Sequence, residues 1–331
     1  MKKIFFLTAA AAMLFAACQK TEVVYTDGPQ EIAMFAVNNV ATKAPVEGAT
    51  FPADNMRVAA YLAGTNEDNY FEGTLFTDSN SDGVFTGSKY WPVTSAVLNF
   101  LAVSEPTTAS PVSTTFDATT PASAATVELT GNQTAQYDLM YAAGQGVKEA
   151  GAPDNVTMVF KHALSWVKFM VKKTNETDNI VIKSITLNGA SYDGKLSIEN
   201  NSYNVATEYA SANAAVTADW STVDAVQDGV SVFDGTYSCT IEYNDMATKG
   251  LLVIPNSDAS DASFTIIYSI DGGTDIPYTV NFEQPVDGWK AGFKYTYNIN
   301  FGSLYEIQIA PEVSPWEVGN ADNDTDHNIN L

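Results

Sequence analysis

The segment VTMVFKHALSWVKFMVKK, Val156 to Lys173, alternates twice in opposite phase. Val156, Met158 and Phe160 carry the apolar side of its first stretch; Val167, Phe169 and Val171 carry that of the second. Side chains of a strand repeat every two residues, so one strand cannot bury both sets on one face. Either a bulge turns the chain over, or the strand leaves one sandwich and enters another. The second option sets a domain boundary near residue 160.

Other segments repeat the style. EIAMFAV puts Ile32, Met34 and Ala36 on one side, and MRVAAYLAG reads as the next strand. AVLNFLAV is a nearly continuous apolar run, as expected of a strand covered on both faces. YDLMYAAG, IVIKSITLNG, GKLSIEN, GLLVIPN, SFTIIYSIDGG and DIPYTVNFEQ follow, many separated by Asn-Gly, Asp-Gly or Gly-Gly turns. In FKYTYNINFG, Phe293, Tyr295, Tyr297, Ile299 and Phe301 share a face against Lys294, Thr296, Asn298 and Asn300. The Ser/Thr/Pro/Ala-rich residues 104–126 read as an exposed loop, residues 200–230 as able to hold one short helix, and the tail GNADNDTDHNINL, from Gly319, as polar and loose. No short exact repeat marks a solenoid. The expectation is an all-β chain of two tandem antiparallel β-sandwiches, over residues 31–160 and 161–331.

Of the 331 residues, 45% are apolar and 17% charged, a folded rather than disordered profile. The formal net charge is −23 and Arg57 is the one arginine. Such a chain cannot present the basic stripe that nucleic acid requires, so no nucleic-acid partner is expected. Acidity of this degree suits an exported, non-aggregating surface.

The start, MKKIFFLTAAAAMLFAAC, has Lys2 and Lys3, an uncharged apolar stretch to Ala17, and then Cys18. That is the pattern of a signal peptide over residues 1–17, too short for a comfortable membrane span. LFAAC resembles a bacterial lipobox, with Phe15 where leucine is usual. The resemblance implies cleavage between Ala17 and Cys18 and acylation of Cys18, whose thiol alone can form the thioether. Several acyl chains make a stable anchor in the outer membrane. Residues 18–30 are then a polar tether. Cys239, the other cysteine, is expected to be a buried residue of a strand in which Tyr237, Ile241 and Tyr243 share its face.

Little catalytic chemistry is visible. His162 and His327 are the two histidines, no His/Cys cluster exists, and no nucleophile elbow, phosphate loop or dinucleotide fingerprint is present. No enzyme activity and no cofactor are expected, and His162 reads as structural. DSNSDG places Asp78, Asn80, Asp82 and Gly83 like the first half of a calcium loop, yet its twelfth position is Lys89, not glutamate. A hairpin tip explains the same residues.

YWP (Tyr90 to Pro92), LNFLAVSEP, YDLMYA, VFKHALSWVKFMV, LLVIPN and GWKAGFKYTYNINF, in that order, resemble the fimbrillin-family lipoproteins of the Bacteroides group over nearly the whole chain after the signal segment. The resemblance implies two transthyretin-like sandwiches and a structural or adhesive subunit of a surface fimbrium. It implies removal of the first strand, around Ile32 to Val37, by cleavage after a basic residue. The matching bond here is Lys43–Ala44, where the family usually shows arginine. It also implies donor-strand exchange with other fimbrial subunits, for which LYEIQIAPEV, with Tyr305, Ile307 and Ile309 on one face, is the candidate donor or else the last strand of its own domain. A host glycan or protein receptor is a further implied partner. The alternative is a surface glycan-binding lipoprotein, with Trp91, Trp220, Trp289 or Trp316 as a stacking platform.

Overall fold

Which residues face inward decides the architecture, and the inward sets form three separate cores. The structure, a computed structural model, describes residues 29–42, 48–50, 55–62, 69–93, 97–106, 111–116, 124–147, 156–200, 216–246, 250–256, 262–281, 288–302 and 307–315. In chain order the strands begin with β1 (Glu31–Thr42), β2 (Gly48–Thr50), β3 (Asn55–Leu62), β4 (Asn69–Thr77), β5 (Val84–Tyr90) and β6 (Val97–Glu105). The pair β7 (Val112–Phe116) and β8 (Ala124–Leu129) precedes a single helical turn, α1 (Asn132–Ala135), then β9 (Met140–Val147) and β10 (Val156–His162). Hydrogen bonding runs β10-β9-β6-β3-β4-β5-β1, and β1 pairs again with β10. Those seven strands therefore close into a barrel-like ring, with β2 attached to β1.

The first core fills the ring. Met56, Val58 and Ala60 of β3, Leu98, Phe100 and Ala102 of β6, and Val156, Met158 and Phe160 of β10 point into it. The alternate residues Ala59, Tyr61, Leu101 and Val103 point outward and are buried as well. The nearly unbroken apolar run of β6 has its cause here, since the strand is covered on both faces.

What covers the outer face is a sheet ordered β14-β13-β8-β7, where β13 is Gly194–Asn200 and β14 Val216–Val223. This sheet joins the two halves of the chain: Leu196 stands opposite Val127, and Ile198 opposite Ala125. The exposed loop expected over 104–126 is corrected here in part. Val112, Phe116, Ala125 and Val127 are buried on one face while Ser113, Thr115 and Thr126 face solvent. Composition concealed a period of two, because threonine suits a half-exposed strand as well as it suits a loop. Likewise, residues 216–223 of the segment allotted a possible helix are strand β14.

The third core lies between two further sheets. One, containing β11 (Ser165–Lys173), β16 (Asn244–Asp245), β17 (Leu251–Val253), β20 (Phe293–Phe301) and β21 (Ile307–Pro315), runs β16-β11-β20-β21 with β17 also on β11. The other runs β15-β12-β18-β19, over β12 (Ile180–Asn188), β15 (Val230–Ser238), β18 (Ser263–Ile270) and β19 (Ile276–Asn281). Phe169 meets Phe264 across the layers with ring centroids 5.2 Å apart. Asp271 and Gly272 take positive φ of 50° and 72°, the left-handed pair at the centre of a turn that the Gly273 N–H closes onto the Ile270 carbonyl at 2.8 Å, within the five-residue connection between β18 and β19.

The phase change at 156–173 is a passage between sheets. Val156, Met158, Phe160 and His162 are buried in the ring; Ala163 and Leu164 are buried at the crossing; Val167, Phe169 and Val171 are buried in the next sheet. Among the described residues the fold is all-β apart from α1, but not wholly antiparallel: β1 with β10 and β11 with β20 run parallel. Each of those pairs joins strands far apart in sequence, which no hairpin links, so neither is constrained to run antiparallel.

Candidate subunit-exchange site

β1 is the strand that closes the ring. Met34 stands opposite Phe85 of β5 on one side and Val156 of β10 on the other. Ile32 and Met34 are wholly buried in the ring core and Ala36 is half-buried, whereas Phe35, in the opposite phase, is exposed. The strand's entry is fastened as well: the backbone N–H of Trp91 donates to the Gln30 carbonyl at 2.9 Å, and that of Ser88 to the Glu31 carboxylate at 2.9 Å. On the far side of β5, the β4–β5 contact is narrow, with Thr77 opposite Thr86 as its one paired position. Without β1, the β10 and β5 edges would lose their shared partner, and a slot sized for two large apolar side chains would open between them.

Burial of Ile32 and Met34 contributes about 3–6 kcal/mol at the usual 1.5–3 kcal/mol for each large apolar side chain. That is enough to seat the strand.

Ile307 and Ile309 lie on β21, the edge strand of its sheet, opposite Phe301 and Ile299 of β20. Both are half-buried and pack on the third core, so this candidate donor is a strand of its own sheet. Beside them, between the edge strands β19 and β21, runs a groove of about 260 Å³ lined by Phe264, Tyr278, Val280, Tyr297 and Pro311 as well. Tyr305 lies outside the described residues, as do Ala17, Cys18, Lys43, Ala44 and Trp316.

Asp78 spends its carboxylate on the tip of the β4–β5 turn, accepting from the N–H groups of Asp82 at 3.1 Å and Gly83 at 2.9 Å. Asp82 accepts from the Val84 N–H at 3.0 Å. Those bonds help hold the Asp78 carboxyl below its ordinary range. Among the described residues, no three acidic, histidine or cysteine side chains converge as a metal site. His162 is buried, its Nδ1 2.9 Å from Asp138 Oδ1.

Cys239 is buried but sits one residue past the end of β15, a correction to the strand expected there. The alternation stops because Thr240 and Asn244 fold the chain into a turn, with Thr240 donating to the Glu242 carbonyl at 3.0 Å. Ile241 and Tyr243 are consequently exposed.

The tryptophans divide. Trp91 and Trp289 are core residues; Trp220 is half-buried and lines a cleft of about 440 Å³ with Tyr141, Asp219 and Lys290, which buried Trp289 also borders. Sequence reasoning named Trp220 and Trp289 and missed the other three. They come from β9, β14 and the turn before β20, and only the packing of three sheets brings them together.

A profile of the fimbrillin-like family matches residues 34–316. The chain belongs to the fimbrillin-like family. No curated protein matches it. Among solved structures, this fimbrillin-like chain is similar to a candidate cell adhesion protein from Bacteroides ovatus, at 14% identity and a TM-score of 0.48, over 88% of this chain and 100% of that one. A candidate cell adhesion protein from Bacteroides uniformis aligns at 16% identity and a TM-score of 0.45, covering 86% and 99%. A fimbrial assembly protein from Parabacteroides distasonis aligns at 16% identity and a TM-score of 0.43, covering 87% and 99%.

Proposed function

We propose that this fimbrillin-like chain is a structural, adhesive subunit of a surface fimbrium, exported as a lipoprotein and assembled by strand exchange. The observation that carries this is the position of β1. One strand, near the chain's start, is shared by the β5 and β10 edges and supplies two of the ring core's large side chains.

In this scheme Cys18 is acylated after cleavage at Ala17–Cys18, and the chain waits at the outer membrane as a closed, non-associating form. Cleavage at Lys43–Ala44 then frees β1. An opened sheet edge above an apolar slot is a strong template for a neighbour's strand. The neighbour's β21 segment, with Tyr305, Ile307 and Ile309 on one face, has the pattern to fill it once it detaches from β20, its partner in the unassembled chain. Because donor and acceptor surfaces differ, the contact does not close on itself and a filament grows. Two tandem domains of transthyretin-like kind, divided near residue 160, remain the domain reading we favour, the first with its strands closed into the ring and covered by β13 and β14 from the second half of the chain. The change of sheet between Phe160 and Val167 supports it.

The test is mass spectrometry of protein sheared from the cell surface, after acid hydrolysis of any acyl chains. An N-terminus at Ala44 in multimers that resist detergent supports the scheme. Surface material that still begins at acylated Cys18 and never associates end to end sinks it; an unmodified Cys18 sinks the lipoprotein part alone.

A further inference from the structure

The cleft beside Trp220 brings an accessible aromatic plane together with polar groups of several kinds. β14 supplies Asp219 and Trp220, β9 supplies Tyr141, and the turn before β20 supplies Lys290; Ala163 and Pro255 add apolar wall. The indole is held in position by its own N–H, which donates to the Ala163 carbonyl at 3.0 Å. Its polar edge is thus satisfied, and its half-exposed ring lines the cavity.

The polar groups are equally well placed. Lys290 is fixed through its backbone, its carbonyl accepting from Ser165 Oγ at 2.7 Å and its N–H donating to Tyr295 Oη at 2.7 Å, while its residue surface is exposed. Asp219 is exposed and offers a carboxylate acceptor. Burial, and then the nearby Asp219 charge, push the Tyr141 phenol up to about 12, so it remains a neutral hydroxyl at physiological pH.

An aromatic plane ringed by an acceptor, an amine and a hydroxyl matches a pyranose, which has an apolar C–H face and a rim of hydroxyls that both donate and accept. The volume of about 440 Å³ lies within the usual range for small-molecule sites. Charge narrows the class: Asp219 at the wall and a net charge of −23 on the chain disfavour a carboxylated or sulfated sugar. We propose that this cleft binds a neutral pyranose residue of a glycan, stacked on Trp220 and hydrogen-bonded by Asp219 and Lys290. The site stands independently of strand exchange. Tyr141 packs with the core on the ring's outer face, whereas Ile32 and Met34 lie inside the ring.

The test uses the full chain purified in detergent and saturation-transfer NMR. The probes are the methyl glycosides of glucose, galactose, mannose and N-acetylglucosamine, with N-acetylneuraminic acid as the charged comparison. We expect transfer to at least one neutral glycoside and less, or none, to the acid. Trp220→Ala should weaken binding at least about tenfold, given the stacking and burial that an indole provides. Asp219→Asn, an exposed position whose change leaves the cores intact, should weaken it about threefold or more, the loss expected when a charged acceptor becomes a neutral one. Transfer to none of the four neutral glycosides overturns the proposal, as does a preference for N-acetylneuraminate. Binding that survives Trp220→Ala in a folded chain, or is unmoved by Asp219→Asn, also overturns it. All these readouts are taken on the unassembled chain, so they leave the filament scheme to its own test.

Discussion

Asp138 and His162 meet 2.9 Å apart at the point where the chain leaves the ring, with both side chains almost wholly buried. Asp138 stands just before β9 and His162 ends β10, two strands paired at His162 and Met140. The next residue, Ala163, donates its N–H to the Leu139 carbonyl at 2.9 Å. The pair thus clamps the crossing where the inward phase changes. Asp138→Ala should destabilise the fold by about 1–3 kcal/mol, the usual cost of depriving a buried polar group of its partner. Asp138→Asn, which keeps an acceptor, should cost less. Urea denaturation followed by tryptophan fluorescence measures both, and equal losses would show that the volume rather than the hydrogen bond matters.

Arg57 should be invisible to an arginine-specific protease in the native chain. It lies in β3 with Leu75 of β4 on one side and Val103 of β6 on the other, so its backbone cannot adopt the extended, unpaired form that a protease cleft requires. Its guanidinium is engaged too, forking onto the Glu105 carboxylate and donating to the Gly73 carbonyl at 2.9 Å. As the one arginine in the sequence, Arg57 offers a single cut. Digestion should leave the folded chain whole and produce two fragments only after unfolding. Rapid native cleavage would mean that β3 is not central to the ring.

Much of this fold was legible from period alone. The opposite phases of Val156–Phe160 and Val167–Val171 announced the change of sheet, and the apolar run from Leu98 to Val103, broken only by Asn99, announced a strand covered on both faces. What stayed hidden were relationships between distant strands. Nothing local in Val127 or Leu196 says that they are opposite, and nothing in Met34 says that it is paired on both sides. The β7–β8 pair was masked by serine and threonine, which serve loops and half-exposed strands alike. The candidate sites follow the same rule. Asp78, Asp82 and Gly83 formed a local pattern that a turn accounts for, whereas Tyr141, Asp219 and Lys290 share no local pattern at all.

Alkaline pH should weaken the fold through its buried thiol and phenols. Burial pushes the Cys239 thiol up to about 12, with Lys173 pulling weakly the other way. The Tyr141 phenol is pushed up to about 12 by burial and by Asp219. Burial raises Tyr192 and Tyr297 as well. In the unfolded chain these groups ionise at their ordinary values, about 8.5 for a thiol and 10 for a phenol. Between those values and the folded ones, the unfolded state binds fewer protons, so stability falls as pH rises. The loss should begin near pH 9 and continue toward 12, with full stability retained below that window. Urea midpoints at neutral pH and at steps up to pH 11 would reveal the slope. Cys239→Ala should flatten its lower part, and a midpoint unchanged across the window would contradict the burial of all four groups.

Met34→Ala separates the closed form from the assembled one. In the intact chain Met34 is wholly buried in the ring core, and truncating such a side chain costs about 2–5 kcal/mol, including the cavity it leaves. Thermal unfolding of the full chain should record that loss. If a neighbour's strand takes the place of β1 after cleavage, residue 34 is absent from the filament, and the same substitution should leave the heat needed to dissociate surface multimers unchanged. Ile307→Ala should do the reverse. A half-buried edge residue costs the isolated chain little, whereas a donor side chain seated in a neighbour's ring would make multimers dissociate at a lower temperature. Denaturing gels of samples heated in steps read both variants. Multimers weakened by Met34→Ala would mean that β1 stays in the assembled particle.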